Sequence, residues 1–311
     1  MDYDTVSNGD LDPTRLTDAA GDLTLYASDP SKTSERLQDA DVALINKLEL
    51  NRELLRGAAN LKLVALAATG TNNVDLVAAR EHGIAVCNVR AYCTASVAQH
   101  VWGLILSLTQ HVEDFSRLSK SGSWARDAHG AAWSYPIREL QGRIFGVVGW
   151  GELGRASARI AAAFGMQVLV ANRRGAAAAA GRMDLDELLA QADIVSLHCP
   201  LTDSTRGLIG ARELKLMKSD ALLINTARGA LVDGEALAAA LKAGELGGAG
   251  IDVLPQEPPA KDDPLLGSPV PNLLVTPHIA WAAREARQRC IDEMAANIRD
   301  FLTGGRRGRV V

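Results

Sequence analysis

From residue 143 onward the chain repeats one pattern: a short, almost purely apolar run, then a longer stretch with helical spacing. The runs are RIFGVVG (143–149), MQVLVA (166–171), DIVSLH (193–198), ALLINTA (221–227), GAGIDV (248–253) and LLVTPH (273–278). Between them lie segments such as LGRASARIAAAFG and DGEALAAALKAGELGG. Val/Ile/Leu runs without in–out alternation belong to strands covered on both faces. Strands that alternate with helices join through right-handed crossovers into a parallel, doubly wound sheet. The expected class is therefore α/β.

Residues 1–90 carry a weaker form of the same rhythm. LTLYAS, VALINK, LKLVALAAT and IAVCNV read as strands, with SERLQDA, NRELLRGA and VDLVAAREHG as helices. The stretch 96–122 reads as one long apolar-rich helix linking two domains, and 123–140 as an irregular loop. The run 175–181 reads as the exposed start of a helix. A last helical pattern follows His278 and is expected to pack back on the N-terminal part. A chain of 311 residues suits two compact cores. The division we expect is a dinucleotide-binding domain, 98–283, inserted into a discontinuous substrate domain, 1–97 and 284–311. Both are Rossmann-like.

Composition narrows the function classes. Thirty-three Lys and Arg against 37 Asp and Glu give a formal charge of −4, so no basic face for nucleic acid is expected. Arg306, Arg307 and Arg309 read as a solvated tail. Cys87, Cys93, Cys199 and Cys290 show no metal-ligand spacing, which predicts reduced thiols and metal-free chemistry. The opening MDYDTVSNGD lacks the cationic and apolar regions of a signal peptide, and no apolar run reaches bilayer length. A cytoplasmic protein without membrane contact is expected.

The first strand of the repeating region runs into VVGWGELGRA, with Gly149, Gly151 and Gly154 in GxGxxG spacing. That spacing alone is a weak signal; after an apolar strand and before an alanine-rich helix it is the context a dinucleotide turn needs. Gly149 permits the tight turn, Gly151 lets the backbone approach a pyrophosphate, and Gly154 allows close helix–strand packing. Sites selective for NAD place an acid about 20 residues on. Asn172, Arg173 and Arg174 stand there instead. Two guanidinium forks suit a 2′-phosphate, so NADP(H) is the favoured cofactor. The alternative is that both arginines are solvated and Asn172 binds the ribose of NAD(H).

Three ionisable residues fall just past strand ends: Arg228 in INTARGALVD, Glu257 in IDVLPQEPP and His278 in TPHIAW. Ligands of open parallel sheets sit outside the carboxyl ends of the strands. Taken singly, these are a surface arginine, a loop glutamate and a core histidine. Together on one rim they form a candidate acid–base site.

These motifs, with ATGTNNVD (68–75), SVAQHVWGLILSL (96–108) and DVLPQEPP (252–259), make the chain resemble the D-2-hydroxyacid dehydrogenases along nearly its whole length. PHIAWAA and HCPLTDSTRGLIG resemble the glycerate dehydrogenase/hydroxypyruvate (glyoxylate) reductase group. The resemblance implies hydride transfer between a nicotinamide and a small D-2-hydroxy or 2-oxo acid. It makes His278 the general acid–base, Glu257 its orienting carboxylate and Arg228 the carboxylate-binding guanidinium. It assigns substrate contacts to the amides of Thr69 and Gly70. It assigns Leu153 and Gly154 to the pyrophosphate and Asp252 to the carboxamide. Val97, Glu152, Cys199, Pro200, Thr205, Thr226, Ala227, His278 and Ala280 complete the cofactor path. A homodimer is implied, with the helix around 98–112 as its candidate interface. A phosphoglycerate dehydrogenase-like enzyme is the nearest alternative, and a redox-sensing NAD(P)-binding corepressor-type protein the alternative of another class. The chain also departs from the family. Trp150 sits within the glycine turn, Asn172 replaces the usual acid, and Ala280-Trp281 replaces small glycines. The usual first strand near the N-terminus is expected to be abbreviated, as the chain opens directly at MDYDTV.

Overall fold

The computed structural model describes residues 1–131, 133–173, 175 and 179–311. The chain forms two compact units, Met1–Cys93 with Trp281–Val311, and Thr94–Ala280. Arg174 and residues 176–178 of the run 175–181 lie outside the described residues.

The first unit is built on three parallel strands, β1 (Val42–Ile45), β2 (Leu63–Leu66) and β3 (Ala85–Cys87), in the order β1-β2-β3. Successive residues of a strand face opposite sides, and β2 feeds a core on each. Leu63 and Ala65 pack with Leu16, Ile291, Met294 and Ile298 from the helices Thr14–Ala20 and Arg284–Leu302. Val64 and Leu66 pack with Leu55, Ala78 and Ala79 from the helices Arg52–Gly57 and Leu76–Glu81. These last two helices start at Asn51 and Asp75, whose side chains accept from Leu54 N at 3.0 Å and Ala78 N at 2.8 Å.

One expectation fails in this unit. LTLYAS is not a strand. Residues 22–26 instead line a cavity of about 650 Å³, whose other wall is the open edge of β1. A strand needs a ladder partner, and among the described residues this stretch makes isolated bonds, such as Tyr3 N to Tyr26 O at 2.9 Å. Arg306, Arg307 and Arg309 are exposed, as expected of a solvated tail, while the backbone beside them is held. Val310 N donates to Val86 O at 2.7 Å and Asn88 N to Gly308 O at 2.9 Å, so the tail pairs antiparallel with the edge of β3.

The second unit holds six parallel strands: β4 (Ile144–Val148), β5 (Gln167–Val170), β6 (Ile194–Leu197), β7 (Leu222–Asn225), β8 (Gly248–Ile251) and β9 (Leu273–Val275). Their order is β5-β4-β6-β7-β8-β9. The chain leaves β4 for one side and returns on the other, which puts the topological switch at the carboxyl end of β4. The apolar runs of the sequence match these strands, each shorter by a few residues because its end turns into a loop. One face is covered by Leu188, Leu189, Leu214, Leu237 and Leu241. On the other lies the helix Thr94–Gln110, with Trp102 against Phe145 and Phe164.

The long helix expected over 96–122 is broken. His111 adopts a left-handed backbone, φ 49°, and starts a second helix, Val112–Lys120. Residues 123–131 then form two short helical turns where a loop was expected. Helix Thr94–Gln110 buries Val97, Val101, Trp102, Leu104 and Ile105. Among the described residues, no helix is long and apolar enough to cross a membrane.

Candidate active site

Gly149 ends β4 with φ 107°, a conformation open in practice to glycine. A Cβ there would lie 2.5 Å from Cys199 N and 2.5 Å from the His198 carbonyl carbon, so the loops after β4 and β6 touch through backbone alone. At Gly154 a Cβ would run into Gly149 O, which accounts for its role in close packing. Gly151 differs: among the described residues nothing lies near its Cβ direction, and its φ of −79° suits any residue. Packing within the described residues therefore does not explain a glycine there. Gly151 caps the helix Glu152–Ala163, whose first N–H groups, on Glu152, Leu153 and Gly154, have no acceptor within the helix. The Thr94 hydroxyl donates to Glu152 Oε1 beside this turn.

The second-strand end is shaped differently from the rest of the rim. Asn172 N donates to Met183 O at 2.7 Å, and Arg173 is exposed. After β6, burial pushes the Cys199 thiol up from its ordinary value. Thr205 Oγ1 donates to Pro200 O at 2.8 Å and closes that loop on itself. Thr226, at the end of β7, has a buried hydroxyl with no hydrogen-bond partner among the described residues. Val97 is buried on the neighbouring helix. An anion-ready helix start, an open Gly151 and an orphaned hydroxyl at the strand ends fit a dinucleotide.

The loop after β7 carries Arg228. Asn225, fully buried, sets its course: Ala227 N donates to Asn225 Oδ1 at 3.0 Å, and Asn225 Nδ2 donates to Arg228 O at 2.9 Å. Arg228 Nη1 donates to Ala227 O at 2.6 Å. The next residue, Gly229, lies so close to the backbone of Leu254 and Pro255 that a Cβ would overlap both. The loops after β7 and β8 are thereby locked together.

On the β8 loop, Glu257 Oε1 accepts from Leu254 N at 3.1 Å, which aims the other oxygen. Glu257 Oε2 lies 2.6 Å from His278 Nδ1. His278 sits in the left-handed region, φ 54°, uncommon for a residue with a side chain. Its N–H donates to Asp252 O at 2.8 Å. Asp252, 1% exposed, is the strut of this loop. Its carboxylate accepts from Thr276 Oγ1 at 2.5 Å, Ile279 N at 3.0 Å and Ala280 N at 2.9 Å. Burial pushes the Asp252 carboxyl upward, and hydrogen bonds from His100, Thr276 and these amides outweigh it, so the net displacement is downward.

The structure brings Glu257 to His278, and Arg228 to the loop that bears Glu257. Thr69 and Gly70 stand in the first unit after β2, with Thr69 O held by Asn88 Nδ2 at 2.7 Å. Asn225, Gly229, Thr276 and His100 escaped the sequence reading. Asn225 left a trace, as the one polar residue in the run LLIN; for His100 the helical pattern shows only a polar residue among apolar ones. Among the described residues, no cluster of His, Cys, Asp or Glu could hold a metal ion.

Comparison with known proteins follows the same lines. The family profile of the D-isomer specific 2-hydroxyacid dehydrogenase NAD binding domain matches residues 102–280. A glycerate dehydrogenase of Methylorubrum extorquens is 43% identical over 275 residues, covering 88% of this chain and 87% of its own. A hydroxypyruvate reductase of Blautia hydrogenotrophica is 36% identical, covering 98% and 96%. Among solved structures, the D-lactate dehydrogenase of Aquifex aeolicus complexed with NAD and lactic acid superposes with a TM-score of 0.81. It has 30% identity and covers 96% of this chain and 94% of its own.

Proposed function

The chain belongs to the D-isomer specific 2-hydroxyacid dehydrogenases, nicotinamide-dependent oxidoreductases acting on a CH–OH group, and from that premise we propose that it reduces hydroxypyruvate and glyoxylate. The observation that carries the assignment is the 2.6 Å pair of His278 Nδ1 and Glu257 Oε2. A carboxylate only accepts, so neutral His278 holds its proton on Nδ1 and exchanges the substrate proton at Nε2.

When bound, the reduced nicotinamide supplies the hydride for the 2-oxo carbon. His278 as imidazolium gives a proton to the oxygen that gains charge, and in the reverse direction takes the hydroxyl proton. Glu257 stabilises the imidazolium and fixes its ring plane. Arg228 presents a fork of donors to the substrate carboxylate and polarises the adjacent carbonyl. The amides of Thr69 and Gly70 are assigned to the same carboxylate. The residues available to hold the cofactor are the helix start at Glu152–Gly154 for the pyrophosphate and Asn172 with Arg173 for the adenosine ribose. The absence of a carboxylate at that strand end favours NADP(H) over NAD(H), since an acid there would repel a 2′-phosphate.

We also assign a cytoplasmic homodimer. The four cysteines are free thiols, as a reducing compartment requires. The exposed apolar side chains of Val112, Trp124, Trp133 and Ile137, with Trp133 at 84%, offer a surface for a second copy. Light scattering on the eluted protein reads the mass.

Steady-state reduction of a panel of 2-oxo acids with NADPH and with NADH tests the function. Turnover of hydroxypyruvate and glyoxylate, with the lower KM for NADPH, is expected. No turnover of either acid removes the substrate assignment, and a clear NADH preference removes the role of Arg173.

A further inference from the structure

The loop bearing His278 is braced by a side chain from another element. His100 lies in the second turn of the helix Thr94–Gln110. Its Nε2 is 2.9 Å from Thr276 Oγ1 and 3.5 Å from Asp252 Oδ1. The single proton of the Thr276 hydroxyl is committed to Asp252 Oδ1. A hydroxyl with its proton spent has only lone pairs left, so His100 must be the donor, with a proton on Nε2. Two polar side chains of the helix therefore hold the loop, since Ser96 Oγ donates to Ala280 O at 2.6 Å.

The bonds continue inward. Thr276 and Asp252 share the proton described above, and Asp252 accepts from the amides of Ile279 and Ala280 while its own carbonyl accepts from His278 N. His278 keeps a left-handed backbone, which persists only where surrounding bonds over-determine it. Asp252 is buried, and His100 is the one group able to carry positive charge paired with it within 4 Å among the described residues.

We propose that His100 is a positioning residue for the reaction, acting on His278 through Thr276 and Asp252, the pair that fixes the backbone of residues 278–280. The proposal rests on the assignment of proton exchange to His278. Removing the donor frees the Thr276 hydroxyl to turn away from Asp252 and loosens the amides that the carboxylate holds. The cost falls on kcat, about tenfold for a fraction of an ångström of misplacement. Substrate KM stays within about twofold, because Arg228 is held by Asn225, which is not among the partners of the Asp252 carboxylate.

The test is steady-state kinetics of the full chain with hydroxypyruvate and the better reduced nicotinamide, melting temperature recorded alongside. The variants are His100→Leu, His100→Gln, His100→Asn and His278→Gln. Gln places an amide N–H where Nε2 stood, Asn falls short of it, and Leu keeps volume without a donor. His100→Leu and His100→Asn are expected to lose about tenfold in kcat at constant KM, with His100→Gln restored to within about twofold. Wild-type kcat in His100→Leu, equal loss in Gln and Asn, or a loss confined to KM overturns the proposal. If the Leu variant does not fold, the Gln–Asn comparison decides alone. His278→Gln reports separately on the premise: near-normal kcat in that variant removes His278 from proton exchange, whereas an inactive His278→Gln beside an unaffected His100→Asn overturns only the role of His100.

Discussion

Gly229→Ala is the substitution whose effect the geometry defines best. The added Cβ would overlap the carbonyl of Leu254 and the nitrogen of Pro255, backbone atoms that cannot rotate away. Restoring the 3.4 Å of ordinary contact moves one loop by roughly 1 Å. Leu254 N is the donor that aims Glu257, so the displacement passes directly to the carboxylate. A bond of 2.6 Å to His278 stretched by that amount leaves hydrogen-bond range. Misplacement of this size costs about 100-fold in rate. Overpacking adds about 1–3 kcal/mol of destabilisation, or several degrees of melting temperature for a domain of this size. The assay is the loss of reduced-nicotinamide absorbance with hydroxypyruvate at saturation, beside a thermal melt. A variant with wild-type kcat would refute the coupling of the two loops. A lower melting temperature with normal kcat would confine Gly229 to folding.

Gly151→Ala is the counterpart: its Cβ meets no atom of the described residues, so the melt should be unchanged while KM for the cofactor rises about tenfold or more, and an unchanged KM would deny a phosphate at that turn. His198 gives a pH prediction. Burial lowers its imidazole to about 4, against 6.5 in its ordinary state. The unfolded chain therefore binds the extra proton first: stability is complete above about pH 6.5 and declines until the folded group titrates near 4, by at most about 1.4 kcal/mol per pH unit. His198→Asn should flatten that stretch of the denaturation-versus-pH curve, and an unflattened curve would place the acid sensitivity elsewhere. Asp10 behaves at lower pH. Its hydrogen bond with Arg287 holds the carboxyl at about 2, so this contribution is present above about pH 4 and lost as pH falls through about 2. Asp10→Asn should abolish that step in melts taken between those values.

Much of the second unit was legible in the sequence because its strands are buried on both faces, and burial on both faces writes itself as an unbroken apolar run. The same reason explains the glycine turn, where strand and helix flank it. LTLYAS misleads, since apolar alternation states a preference and no ladder partner among the described residues realises it. The break at His111 was invisible, because a left-handed histidine changes no periodicity. Arg228, Glu257 and His278 could be placed at strand ends, but their mutual geometry depends on Asn225, Gly229 and Asp252. Those act through the backbone, and residue type alone does not announce a loop anchored from behind. The brace at His100 is hidden for the same reason: its partners lie far away in the chain and meet it only through the fold.

We propose that His278, aimed by Glu257, exchanges the substrate proton while hydride passes to a 2-oxo acid. This is tested most directly by single-turnover reduction of hydroxypyruvate by wild type and His278→Gln, with cofactor affinity measured in both. A fall of several orders of magnitude in the chemical step at unchanged cofactor affinity is expected. A rate within about tenfold of wild type would contradict it.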